Sequence, residues 1–143
     1  MSSDSRTIRS IAVTAEDAVS AYEASERSAS NPVLRVTPPF AGRMRARLHV
    51  PGPNEPSSDP APILIAPREL FDANRLPPYP EPGDTEARIR ADPDLTYSTE
   101  LHHKRHTERV REWRKAAREG FAEELEIDTL EGTHRVEVKV LGT

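Results

Sequence analysis

The 143-residue chain contains no cysteine. This absence excludes disulfide bonds, cysteine-ligated zinc or iron–sulfur centres and a thiol nucleophile. Long apolar runs are also lacking: stretches such as 63–66 cover a few residues, whereas a membrane-spanning helix needs about 20. The opening MSSDSRTIRS has no apolar segment of the kind that a secretory signal contains. We therefore expect a cytoplasmic protein without a membrane partner.

Hydrophobic residues are scarce at 35%, aromatic residues account for 5%, and 14 residues are proline. Such a composition is poor for a compact globule, so part of the chain should be loop. The Pro-rich segments 51–61 and 74–84 should be exposed and mobile, because neither can bury enough apolar surface to offset the entropy of ordering. We expect residues 1–6 to be disordered and residues 7–143 to form one domain.

Hydrophobic periodicity indicates an α+β fold. The clearest period-2 pattern covers residues 43–50, where Arg43, Arg45 and Arg47 alternate with apolar side chains. One face of this strand should be apolar and the other cationic, and the strand should form a hairpin with residues 33–37. Together with the other alternating or short apolar stretches, it predicts a mostly antiparallel sheet. The expected strands are 8–13, 33–37, 43–50, 62–66, 124–129 and 134–141.

Two main helices, 15–28 and 100–119, should pack on this sheet. Thr14 is a suitable N-cap for the first, with Asp17 three residues later. The second is the longer and carries a stripe of apolar residues, in which Trp113 should anchor the helix in the core. Long Pro-rich loops connect these elements.

The net charge of -4 conceals a strong segregation of charge along the chain. Residues 99–118 carry seven Lys or Arg against three Glu, whereas residues 119–143 carry two basic residues against seven acids. The molecule should therefore have a basic side and an acidic side, which bears on the choice of partners.

The basic strand and the basic helix suggest contact with nucleic acid, because arginine neutralises phosphate and forms two hydrogen bonds to it. We expect a non-catalytic binding protein, associated with nucleic acid or a ribonucleoprotein. The candidate contact residues share a positive charge and an expected exposed position: Arg43, Arg45, Arg47, Arg105, Arg109, Arg114 and Arg118.

A solvated helix with internal ion pairs would explain the basic helix equally well. Glu108 with Arg111, and Glu112 with Lys115, are spaced i, i+3 and could neutralise part of that face. The alternative function is therefore a protein-interaction or homo-oligomerising module without a nucleic-acid role. In such a module the acidic C-terminal hairpin of one chain would meet the basic helix of another.

His102 and His106 lie one helical turn apart, a spacing that can place two imidazoles on one metal ion. The glutamate that the zincin motif requires between its histidines is missing, and Lys104 and Arg105 would repel a divalent cation. We therefore expect exposed histidines at the start of a helix and no metal site.

Recognised catalytic motifs are absent from the sequence. It contains no GxSxG nucleophile elbow, no GxxxxGK[ST] phosphate loop, no GxGxxG dinucleotide fingerprint and no HExxH metalloprotease motif. Enzymatic activity therefore has no support in the sequence, and no cofactor is expected.

Three stretches, LRVTPPFAGRMRARLHV (34–50), VREWRKAAREGFAEELEI (110–127) and HRVEVKVLG (134–142), resemble a small uncharacterised haloarchaeal protein family. The resemblance covers most of the chain, including TAEDAVSAYEAS near its start. It implies a salt-rich cytoplasm and a preference for arginine over lysine, and it transfers no site residue. Because haloarchaeal cytoplasmic proteins are normally far more acidic, the small net charge indicates that basic residues are retained for an anionic partner.

Overall fold

The computed structural model describes residues 4–27, 30–53, 61–129 and 132–142. Three α-helices and seven strands occur in these ranges. The helices are α1 (Ala15–Arg27), α2 (Pro82–Ala91) and α3 (Thr99–Arg118). The strands are β1 (Ser10–Thr14), β2 (Val33–Val36), β3 (Arg43–Arg45), β4 (Arg47–His49), β5 (Ile63–Ile65), β6 (Glu124–Thr129) and β7 (Gly132–Leu141). In the ranges described, no helix combines the length and apolarity needed to span a bilayer.

The α+β class is confirmed, and the strands divide between two sheets. One sheet has the order β3-β1-β7-β6, and the other has the order β4-β2-β5 and is antiparallel throughout. In the first sheet β1 pairs parallel with both neighbours, while β6 and β7 form the expected antiparallel hairpin. The parallel pair β1–β3 is possible because α1 lies in the connection between them and supplies the long crossover that parallel strands require.

The predicted strand 43–50 is interrupted, which corrects the expectation of one continuous strand. Its first half is β3 in the four-stranded sheet, and its second half is β4 in the three-stranded sheet. Ala46 lies between them, fully buried, and donates its backbone N–H to the carbonyl of Ala12 at 2.8 Å. The expected hairpin with β2 is confirmed for β4, where Arg35 is the register partner of Arg47. An alternating pattern assigns faces to residues, but it does not say which strand each half pairs with.

The two predicted helices are confirmed, with residue 28 outside the described ranges. The hydroxyl of Thr14 accepts a hydrogen bond from the backbone N–H of Asp17 at 3.1 Å and so caps α1. Ser98 caps α3 in the same way through Leu101 at 3.0 Å. Both caps satisfy donors that a helix N-terminus would otherwise leave without a partner.

Aromatic side chains join the helices to the core. Trp113 on α3 is 3% exposed, as its predicted core position requires. Its ring lies 5.2 Å from that of Tyr22 on α1, and Tyr22 in turn meets Phe71 edge-on at 5.6 Å. Phe71 stacks on Phe121 at 4.6 Å between ring centroids. Aromatic pairs contribute more stabilising free energy than the area they bury would give. This series of ring contacts therefore holds α1 and α3 against the segments that follow β5 and α3.

The segment 74–84 is exposed at most positions, as its prolines predict, but its middle packs against α3. Pro80 is buried, Tyr79 meets Trp113 edge-on at 4.8 Å, and the carbonyl of Pro77 accepts a 2.9 Å hydrogen bond from the Trp113 indole. Helix α2 then begins at Pro82, inside the predicted loop, because proline is well suited to the first turn of a helix. The contacts of Tyr79 and Pro77 are made with Trp113, which is distant in sequence, so local composition did not reveal them.

The predicted mobility of 51–61 and 74–84 stays a prediction, as does the disorder of residues 1–6. Residues 54–60 and 1–3 lie outside the described ranges. Asp4 caps a short 3-10 turn, Ser5–Thr7, by accepting a hydrogen bond from the backbone N–H of Arg6 at 2.9 Å.

Candidate functional site

A cavity with a volume of about 390 Å³ lies beside strands β2, β3 and β4. We call it the arginine cavity. Its lining combines cationic and polar side chains with two apolar ones: Arg35, Thr37, Met44, Arg45, Arg47, Leu48 and His49. Arg45 and Arg47 were predicted as contact residues from the sequence. Arg35, Thr37 and His49 were not.

The change of sheet at Ala46 brings the arginines of this cavity together. Arg35 and Arg47 are cross-strand partners in the three-stranded sheet, so their side chains leave the same face side by side. Arg45 is the last residue of β3 in the other sheet, two residues before Arg47. The cavity is therefore built where the chain passes from one sheet to the other.

Among the described residues that line the arginine cavity, none is a carboxylate. Within the part of the chain that the structure describes, the guanidinium groups of Arg35, Arg45 and Arg47 form no ion pair or side-chain hydrogen bond. Like charges directly opposite each other on a sheet are destabilising. The Arg35–Arg47 arrangement is thus unfavourable for the isolated fold and favourable for binding an anion.

Arg43 is exposed on β3 and lies outside the lining of the arginine cavity. Its register partner is Ser10 on β1. The structure therefore places two of the three predicted strand arginines in the cavity, while Arg43, on the same strand as Arg45, lies outside its lining.

Arg114 on α3 holds the fold together. Its guanidinium donates from Nε and Nη2 to the two carboxylate oxygens of Glu23 on α1, with an Nη2–Oε2 distance of 2.9 Å. The hydrogen bond to Glu23 raises the pKa of Arg114 above its usual range. Because the Glu23 side chain is 8% exposed, this pair supplies the counter-charge that a buried carboxylate needs.

Arg105 and Arg109 line a different groove, of about 260 Å³, between α2 and α3. Carboxylates share this groove, namely Asp92, Glu108 and Glu112. Arg109 also donates a 2.8 Å hydrogen bond to the hydroxyl of buried Thr85. The groove and the arginine cavity have no lining residue in common, so the basic helix and the basic strands line different cavities.

The remaining predictions for α3 concern its end and its internal ion pairs. Arg118, its last residue, is exposed and lines neither cavity. The ion pairs expected from the spacings Glu108–Arg111 and Glu112–Lys115 are absent from the described residues. Spacing places such side chains on neighbouring positions, but exposed partners gain too little to be held together.

The two predicted histidines attach α2 to α3. His102 shares a 2.9 Å hydrogen bond between its Nε2 and the carbonyl of Pro82, and His106 shares one of 2.8 Å between its Nδ1 and the Thr85 hydroxyl. Their rings are stacked at 5.9 Å. Burial lowers the pKa of His106, and the positive charges of neighbouring His102 and Arg109 add to that effect. Each ring thus has one nitrogen engaged by α2.

Metal ligands do not cluster in the described parts of the chain, where no three His, Asp or Glu side chains could hold an ion together. Of the cavity residues that sequence reasoning missed, Arg35 is the cationic one on β2. The predicted hairpin between 33–37 and 43–50 contained the necessary signal, since pairing these segments in register places Arg35 opposite Arg47.

Comparison with known proteins identifies a family and no characterised relative. No curated protein and no solved structure matches the chain. The family described as Domain of unknown function (DUF8009) matches residues 1–142. With nearly the whole chain matched, the protein belongs to this family.

Proposed function

We propose that the protein is a non-catalytic nucleic-acid-binding protein that contacts phosphate groups through the arginine cavity. The observation that carries this proposal is the convergence of Arg35, Arg45 and Arg47 on one concave surface whose described lining residues include no carboxylate. A guanidinium presents its N–H donors in a fork that matches two phosphate oxygens, and phosphate contacts of this kind dominate the affinity of proteins for nucleic acids.

The strands carry the proposed contact, and α3 has a smaller part in it than its charge suggests. Arg114 is engaged by Glu23, and Arg105 and Arg109 share their groove with carboxylates. Anions approaching that groove meet charges of both signs. Among the described residues, the charged side chains that an anion meets in the arginine cavity are cationic.

The resemblance to haloarchaeal proteins extends the proposal to a salt-rich cytoplasm. The Debye length is about 3 Å at 1 M salt, so long-range attraction would be screened there. Binding would then depend on direct contact between guanidinium groups and phosphate oxygens inside the cavity. A concave site with several arginines suits that requirement better than a flat charged surface does.

The test is the salt dependence of binding to a dye-labelled duplex that carries a phosphate at its unlabelled ends, followed by fluorescence anisotropy. Each phosphate contact contributes a slope of about 0.9 in the plot of log K against log salt concentration. Arg47→Gln should lower the slope by about 1, and the combined replacement of Arg35, Arg45 and Arg47 by Gln by about 2 to 3. Arg111→Gln is the matched control, because it removes one exposed, unpaired charge from α3.

An unchanged slope in the triple variant would remove the arginine cavity from the interface. The same loss of slope in Arg111→Gln and Arg47→Gln would mean that overall charge, and not this site, determines the binding.

A protein-interaction or homo-oligomerising role is the second candidate. The mixed charges of the α2–α3 groove favour it, since Asp92, Glu108 and Glu112 would weaken nucleic-acid contact there. Purification with and without nuclease separates the two candidates. Partners that leave on nuclease treatment support the first, whereas a complex of defined mass by light scattering, stable to nuclease and free of nucleic acid, supports the second.

A further inference from the structure

The arrangement of charge in the arginine cavity constrains the kind of phosphate that it fits. Arg35 and Arg47 project from register positions on adjacent strands, and Arg45 comes from the neighbouring sheet. All three line one cavity of about 390 Å³. This volume is within the range of about 300–1,000 Å³ that is typical of small-molecule sites. A surface that follows a continuous backbone presents its basic residues along an extended groove instead.

The number of positive charges in the arginine cavity also constrains the kind of phosphate that it fits. An internal phosphodiester carries one negative charge and has two free oxygens. A phosphate monoester carries about -1.5 to -2 at neutral pH and offers three acceptor oxygens. The described lining holds three guanidinium groups and no carboxylate. A monoester therefore matches it better than a diester does, both in charge and in the number of acceptor oxygens.

Repulsion between Arg35 and Arg47 strengthens this preference. Arg35 and Arg47 face each other without a counter-charge among the described residues. A dianionic group between them would replace that repulsion by two attractive contacts. The gain in electrostatic binding free energy increases with the charge of the anion, so it is larger for a monoester than for a diester.

We infer that the arginine cavity binds a phosphate monoester, and that in the cell this group is the terminal phosphate of a nucleic-acid strand. The inference rests on the proposed function for the identity of the ligand. It goes further by assigning recognition to a strand end. A chain end can enter a concave site of this size, whereas an internal diester must bring its flanking nucleotides past the rim.

The experiment compares strands of one sequence that carry a phosphate at the 5′ end, at the 3′ end or at neither end. A strand with a terminal phosphate should bind at least about tenfold more tightly than the hydroxyl-ended strand, a difference of about 1.4 kcal/mol. A nucleoside monophosphate and inorganic phosphate serve as competitors. Both should displace the strand at higher concentrations, since they share the monoester chemistry without the neighbouring nucleotides.

Two variants connect the preference to the cavity. Arg47→Gln should reduce the preference for a terminal phosphate to less than about threefold, while Arg111→Gln should retain it. Thermal melts at low salt control for folding. Removing one of two opposed charges should leave the midpoint unchanged or raise it, so loss of preference with an intact melt is a loss of binding.

Equal affinity for phosphorylated and hydroxyl-ended strands, with the salt slope retained, would overturn this inference and leave the proposed function standing. A monophosphate that binds as tightly as the strand would overturn the assignment to strand ends in favour of a free nucleotide. Failure of every probe to bind would overturn both proposals.

Discussion

Replacement of Arg114 by Gln should destabilise the protein without weakening its contact with nucleic acid. The Arg114 side chain is 48% exposed and that of Glu23 is 8% exposed, so the substitution leaves a nearly buried carboxylate. The remaining cation nearby is Arg27, whose Nη1 lies 3.6 Å from Glu23 and whose side chain is 63% exposed. Such an exposed partner compensates the buried charge poorly.

The magnitude follows from the two hydrogen bonds that are lost. A hydrogen bond to a charged group contributes about 1.5–3 kcal/mol, and an uncompensated buried charge adds to the cost. The exposure of Arg114 reduces both effects through solvent screening. We expect a loss of about 2 kcal/mol in the free energy of unfolding, which lowers the melting temperature by roughly 6 °C for a chain of this size.

Urea unfolding followed by circular dichroism measures this loss. Glu23→Gln should cost less than Arg114→Gln, because it removes the buried charge together with its partner's contact. The double variant should show a coupling of about 1 kcal/mol between the two sites. Arg111→Gln, on the same helix and without an ion pair, should stay within about 0.5 kcal/mol of the parent.

An Arg114→Gln protein as stable as the parent would refute this account of the ion pair. A reduced salt slope for nucleic-acid binding, without any change in stability, would return Arg114 to the interface that the basic helix predicts.

Two further predictions concern α2 and the segment before it. Burial lowers the pKa of His106 in the folded protein below its unfolded value of about 6.5. Below about pH 6.5 the unfolded state therefore binds more protons than the folded state does, so the free energy of unfolding is largest above that pH and falls as the pH decreases. His106→Asn, which keeps an acceptor beside Thr85 and does not titrate, should flatten the fall in unfolding free energy between about pH 7 and 5; an unaltered pH dependence would contradict this. Trp113→Phe removes the hydrogen bond to Pro77 and should cost about 1–2 kcal/mol in urea unfolding, whereas a cost near zero would show that this bond adds nothing beyond hydration.

Much of the fold follows from local patterns in the sequence. Thr14 and Asp17 predict the start of helix α1, and alternating or short apolar stretches predict the strands of the C-terminal hairpin. These signals are local, since a cap and a periodic face involve residues within a few positions of each other. Helix α2 lacks them. It is held by Thr85 and Ile89, which become buried when α2 packs on α3.

For the site, the sequence by itself determined that arginines alternate along residues 43–50 and that the basic helix is rich in cations. The tertiary structure decided which of them share a surface. At Ala46 the chain passes from one sheet to the other. The register of β2 and β4 places Arg35 opposite Arg47, and Glu23 on α1 forms an ion pair with Arg114 on α3. Each of these depends on contacts between residues far apart in the chain. Local periodicity predicts the face of a helix or strand on which a side chain lies. It does not predict which charged groups from other elements will lie next to that side chain in the folded protein.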